Sequence, residues 1–376
     1  MLRQWLNVAI DVLRAPIRTP DVLLVTGQAS QNKIEEVETR LRFLFANIGN
    51  SPALRYASSA SPLAYVRSRA VAAVDSEAVP AFARQRLEWV VDLDYETNLA
   101  DGWSLIDLGA VLTGEPRRKV IKSAHHRFMN RIEALQSGGD GPVYLFGTGP
   151  SLGSAETRSF ADGTTIVCNT IVRDKELWDH LAPAFLVAGD AIYHFGHTPH
   201  AAAFRADAVR RLRESNGRTS FVYPARFDSV VRSEFREVLP LLIPIPVGDH
   251  SDVTVDLTEH FSLPNVENVL NGLLLPLGCT LSRDVRLWGF DGRAPDDSGF
   301  WANSDRHAYP ELMQSIRDAH PAFFRAKIPA GNEVQYMKRV HGDVLDQRLS
   351  EAEGRGFRFQ MLHRTWTPTL QKRYIG

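Results

Sequence analysis

Beyond residue 140 the chain predicts an α/β fold built on a parallel sheet covered on both faces. Three observations carry this. Continuous apolar runs too short for core helices recur: VYLFG at 143–147, TTIVCN at 164–169, FLVAGD at 185–190, SFVYP at 220–224, LLIPIPV at 241–247 and VRLWGFD at 285–291. Helical stretches lie between them, at 173–181, 201–214, 227–238 and 265–277. The segment QSGGDGP at 136–142 then marks a linker after which the pattern changes. Buried strands alternating with helices are the pattern of a parallel sheet.

Two regions follow: 1–138, mainly helical with a short strand, and 139–376, the sheet domain. Residues 1–14 place Leu2, Trp5, Leu6, Ala9, Val12 and Leu13 at helical spacing, with Pro16 and Pro20 ending the segment. A helix docked on its own domain satisfies that stripe. A helix in peripheral contact with the inner membrane is the alternative, supported by only two basic side chains, Arg3 and Arg14. Residues 21–27 predict a strand, 34–48 an amphipathic helix, and 62–92 and 102–137 mostly helix. The basic run at 117–132 reads as a solvated helix face, with an anionic acceptor or lipid headgroup as the alternative.

Composition narrows the function. Lys plus Arg is 43 and Asp plus Glu is 44, a net charge of −1, so no global field draws the protein to nucleic acid. Two cysteines, Cys168 and Cys279, exclude a disulfide scaffold and a four-cysteine zinc site and fit a reducing, cytoplasmic setting. No apolar stretch approaches the ~20 residues of a spanning helix, and no signal peptide is expected.

The chemistry concentrates at Gly147-Thr148-Gly149-Pro150-Ser151-Leu152. Gly147 and Gly149 permit a sharp turn and close approach of a ligand. Pro150 suits a first helical position. The helix start then offers N–H groups to a phosphate, and Ser151 adds a hydroxyl. Leu152 stands where a dinucleotide fingerprint needs its third glycine, and Cys168-Asn169 replaces the acidic residue that would hold an adenosine ribose, which disfavours NAD. The Walker lysine is absent, which excludes a P-loop enzyme.

GTGPSL at 147–152, Cys168-Asn169, ENVLNGLLLPLGC at 267–279 and LWGFDGR at 287–293 together resemble the bacterial sialyltransferases that cap lipooligosaccharides. The resemblance spans roughly residues 142–362. It implies a modified Rossmann-type, GT-A-like fold and an inverting transfer from a CMP-activated sugar, with no metal and no cofactor beyond that donor. It implies a nucleotide site of Gly147, Thr148, Gly149, Pro150, Ser151, Asn169, Asn271, Gly272, Gly289, Phe290 and Asp291, with a glycan or glycolipid acceptor. The general base it implies is His341, ahead of a helix at 343–353 and the strand FRFQML; His307 and His320 are rivals. The family's tyrosines for the leaving phosphate are missing from 292–306, so Arg293, Ser298, Trp301, Arg306 or Tyr309 would substitute, and Kdo or another nonulosonic sugar stays open as donor. The same turn also resembles motility-associated flagellin glycosyltransferases and archaeal MptE-like pyrophosphokinases, and a non-catalytic assembly protein is a third reading. Asp296-Asp297 and Asp92–Asp94 do not follow suitable strands for a metal–nucleotide site. His194, His197 and His200 are interrupted by Gly196 and Pro199, so a solvent-exposed acceptor lid is expected there in place of zinc. The oligomeric state is left open, with an oligomer compatible with every reading.

Overall fold

The computed structural model describes residues 19–49, 51–113, 117–137, 139, 141–294, 306–327 and 338–376. The expected helix at 1–14 and the residues Asp296, Asp297, Ser298 and Trp301 lie outside them. The chain divides into two compact units. The first holds the described residues before 115 together with 229–234 and 317–327, and the second holds the rest.

The first unit carries four parallel strands: β1 (Val22–Val25), β2 (Leu54–Ala57), β3 (Ala70–Ala73) and β4 (Val90–Asp92), in the order β2-β1-β3-β4. Helix outweighs strand in this stretch, as expected, but β2, β3 and β4 join the single short strand that the sequence suggested. Helices Pro62–Arg67 and Ala81–Arg86 flank β3 and β4 in the stretch 62–92. Alanine-rich β3 has strong helix propensity, but full burial between two layers decides for strand. One face packs Val22, Leu24, Ala70 and Ala72 under the helices Gln31–Ile48 and Asp101–Thr113 through Val37, Leu41, Leu44, Leu105 and Leu108. The other packs Leu23, Val25, Val71 and Ala73 against Tyr65, Ala83 and Trp89. Ser30 caps the first of those helices by accepting from Lys33 N–H, and Gly49 ends it at φ +63°.

Residues 317–327 are tied into this unit by a buried ion cluster. The Arg40 guanidinium contacts Asp101 and donates to the Ala319 carbonyl, and His320 Nδ1 lies 2.7 Å from Asp101 Oδ2. Burial alone would raise the Asp101 pKa, but His320 and Arg40 hold the carboxyl below its usual value.

The second unit carries seven parallel strands: β5 (Val143–Phe146), β6 (Thr164–Cys168), β7 (Phe185–Val187), β8 (Ser220–Pro224), β9 (Leu242–Ile245), β10 (Asp284–Trp288) and β11 (Arg358–Met361). Their order is β11-β10-β5-β6-β7-β8-β9. All six apolar runs are strands, and the fold is α/β with a Rossmann-like parallel sheet. The units divide the chain differently from the expected 1–138 and 139–376. Helix Arg117–Gln136 belongs to the second unit, where Phe128 and Ile132 enter the core and Arg127 donates to the Leu242 carbonyl. The flexible-looking QSGGDGP follows this helix and does not separate the units.

The segment around His194–His200 is not an exposed lid. Ala191, Ile192, Phe195 and Thr198 are fully buried, His194 and His200 nearly so. Burial drives the His194 pKa down to about 3. Thr198 caps the helix Pro199–Glu214, whose first residue is the proline that interrupts the histidine spacing.

Candidate functional site

The chain leaves β5 toward β6 on one side, while β10 lies on the other side of β5. The connections therefore diverge at β5 and β10. In open parallel sheets the crevice at such a switch point, beyond the carboxyl ends of the strands, is where ligands bind. Here the glycine turn after β5 meets the Gly289-Phe290-Asp291 loop after β10.

The two loops are bonded to each other. Gly147 N–H donates to the Trp288 carbonyl at 2.8 Å and Gly149 N–H to the Gly289 carbonyl at 2.8 Å. Trp288 Nε1 donates to the Ser151 carbonyl at 3.0 Å. The approach leaves no room for side chains. A Cβ on Gly147 would stand 2.6 Å from the Gly289 oxygen, and one on Gly149 would stand 2.7 Å from the same atom and closer still to the Asp291 carboxylate. These glycines are required by loop-on-loop contact before any ligand is considered.

The expected phosphate cradle is corrected by what occupies it. The turn opens a 3₁₀ helix, Pro150–Thr157, with Pro150 at its first position. Asp291 Oδ1 accepts from Ser151 N–H at 3.1 Å, and Oδ2 accepts from Ser151 Oγ at 2.8 Å. A carboxylate thus caps the donors that a phosphate would use, and its charge repels a second anion at the same spot. The group offered to a ligand is an acceptor suited to sugar hydroxyls.

A third loop completes the cluster. His363, just past β11, lies with Nε2 2.8 Å from Ser151 Oγ and accepts the Gly289 N–H at 2.9 Å. Its Nδ1 is 2.7 Å from the Arg364 carbonyl and donates to it, while Nε2 serves as the acceptor of the Gly289 N–H. The single Ser151 hydroxyl proton is shared between a carboxylate and an imidazole. This is not the order of a serine hydrolase, because the acid touches the serine and the backbone carbonyl holds Nδ1. Thr365 Oγ1 donates to the Phe290 carbonyl at 2.6 Å, and Trp366 N–H donates to the Asp291 carbonyl at 2.7 Å. The Trp366 side chain itself is 61% exposed.

Of the other expected residues, Asn169 ends β6, the strand beside β5, and adopts φ +53°. Its buried Oδ1 has no hydrogen-bond partner. Phe290 packs partly buried against the core, while Thr148 and Arg293 are half-buried. Asn271 and Gly272 lie in a buried π turn, Leu270–Leu274, that leads into helix Leu275–Leu281. Such turns are often found at functional positions. The cap at that start is Asn268, whose Oδ1 accepts from Asn271 N–H at 2.9 Å. Neighbouring Leu273 stands so near the end of β7 that a Cβ on Gly189 would meet it at 3.1 Å.

Tyr309, expected as a leaving-group donor, has its hydroxyl engaged elsewhere. It is 4% exposed, its hydroxyl donates to Asp207 Oδ2 at 2.7 Å, and burial followed by that bond raises its pKa. His320 is committed to Asp101 in the first unit. His307 is fully buried beside Asp174, with its pKa lowered by burial to about 4. His341 lies in a π turn, Lys338–Asp343, ahead of helix Val344–Gly354, as its sequence setting implies, and burial lowers its pKa to about 4. The imidazole bonded into the crevice cluster is that of His363, which sequence reasoning missed. Its signal was position, one loop past a parallel strand that neighbours β10.

No family model matches the chain, and no curated protein sequence matches it. Among the described residues no helix is long and apolar enough to cross a membrane.

Proposed function

We propose that the crevice binds a CMP-activated nonulosonic sugar, of the sialic acid or Kdo kind, and that the protein transfers it to a hydroxyl of a glycan or glycolipid. The observation that carries this reading is the convergence of Asp291 and His363 on Ser151 at the switch point. Asp291 would accept from ribose hydroxyls, exchanging the Ser151 hydroxyl for the ligand's. The unmet Oδ1 of Asn169 would accept an N–H or O–H from the cytidine. The exposed Trp366 ring offers an apolar face for a base or sugar.

In transfer, the acceptor oxygen attacks the anomeric carbon. The bond from that carbon to the phosphate oxygen breaks, and CMP leaves with the electron pair. The acceptor proton needs a neutral base. His363 Nε2 is placed as an acceptor and faces the cluster, so it replaces His341 as the first candidate. Arg293, two residues past Asp291, would then be the donor that steadies the departing phosphate.

Isothermal titration with CMP, UDP, AMP and NAD tests the reading. CMP should bind selectively, and Asp291→Asn should weaken it by about tenfold or more, the effect of one charge-assisted bond. Absence of CMP binding, or unchanged affinity in Asp291→Asn, would overturn it.

A further inference from the structure

The second unit contains a cavity of about 520 Å³. Its walls include Thr164 and Thr165 at the start of β6, Ala184 just before β7 and Arg218 just before β8. The strands are parallel, so these residues mark the amino end of the sheet, while Phe160 and Arg158 reach toward Trp288, 5.8 and 6.0 Å from its ring.

The lining is cationic and uncompensated. Arg131, Arg158 and Arg218 border the cavity with His180, and Glu156 is the only carboxylate among the lining residues. Glu156 is already held by Arg306, through contacts of 2.5 and 3.0 Å. Elsewhere arginines such as Arg40, Arg286, Arg306 and Arg373 face carboxylates. Among the described residues none of the three cavity arginines does. Arg131 is the sharpest case. One of its Nη groups donates to the Arg218 carbonyl, its Nε is buried with no partner, and burial lowers its pKa. A partly buried guanidinium without a counter-charge is costly to keep, and a bound anion removes that cost. Leu135, Phe160 and Leu181 supply an apolar wall, and the volume falls within the roughly 300–1,000 Å³ of small-molecule sites.

We propose that this cavity is a second ligand site, taking a small organic phosphate whose anionic group is held by Arg131, Arg158 and Arg218. It also draws one residue of the basic run at 117–132, Arg131, away from the solvated-face reading. The proposal does not depend on the crevice reading.

The test is calorimetric titration of the full chain with inorganic pyrophosphate at constant ionic strength, beside flotation with phosphatidylglycerol vesicles. Pyrophosphate should bind saturably in the wild type, and Arg131→Gln should lose at least about tenfold in affinity, since bonds to charged groups are this strong. Arg158→Gln with Arg218→Gln changes two exposed side chains and should do the same without threatening the fold. Asp291→Asn should leave the titration unchanged, which separates this site from the crevice. The proposal is overturned if wild-type protein fails to bind pyrophosphate, if the arginine variants bind it as well as wild type, or if only vesicles are bound.

Discussion

Gly289→Ala isolates the contact on which the crevice is built. Gly289 has φ +78°, a left-handed conformation that costs an ordinary residue about 1–2 kcal/mol. An added Cβ would also stand 2.8 Å from the Gly147 carbonyl carbon and closer still to its oxygen. Both are backbone atoms anchored by the β5–β10 pairing, so the clash is relieved only by separating the loops. Overpacking of this kind adds about 1–3 kcal/mol. The sum is about 2–5 kcal/mol, which at roughly 2–4 °C per kcal/mol for a unit of this size lowers the melting transition by roughly 4–20 °C. Gly153→Ala is the matched control, because a Cβ there meets nothing within 4 Å; its transition should move little. Scanning calorimetry of the two variants decides. If Gly289→Ala melts within a degree or two of wild type, the loop-on-loop account of these glycines is refuted, and close approach of a ligand becomes the reason for them.

Three further outcomes are expected. His363→Ala should lower kcat by about 10²–10⁴-fold in a transfer assay while His341→Ala keeps most turnover; the reverse result would return the base to His341. Asp101→Asn leaves buried Arg40 with Glu36 as its remaining counter-charge and should cost up to about 3–5 kcal/mol in denaturant unfolding at neutral pH. The Asp101 pKa is depressed in the folded state, so its stabilisation is present above the ordinary carboxylate range and lost as pH falls through the lower folded value. Wild type should therefore lose stability below about pH 4, and a variant with the same acid limb would contradict the assignment. Tyr309→Phe should cost about 1 kcal/mol through the lost Asp207 bond and leave transfer unchanged; a large loss of turnover would restore Tyr309 to the chemistry.

The strands of the second unit were readable because each is buried on both faces, so its residues spell a continuous apolar run. The strands of the first unit were harder. Ala70–Ala73 is a helix-forming composition placed in a sheet by burial, and Leu54–Ala57 is an exposed edge with no continuous apolar run. The glycine turn and Gly289-Phe290-Asp291 were legible as a pair of loops, because both follow recognisable strands. That Asp291 occupies the turn's own donors was not legible, since it depends on a contact 140 residues apart in sequence. For the same reason the 317–327 return left no local pattern, and His363 had only its position just past the strand FRFQML to mark it.

That return has a consequence for synthesis and for dissection of the chain. Arg40 and Asp101 leave the ribosome long before Ala319 and His320, by roughly 10–40 s at typical elongation rates. Through that interval the first sheet exists without its last partners: Asp101 lacks the imidazole, and Tyr95 lacks the Ala322 amide that its carbonyl accepts at 3.2 Å. The amino-terminal unit therefore reaches its final state only after nearly the whole polypeptide has emerged, and a fragment cut at the glycine-rich segment around residue 138 contains a buried arginine–aspartate pair without its His320 and Ala319 partners. A split-protein experiment should place the break after residue 327, where both partners of the cluster travel together.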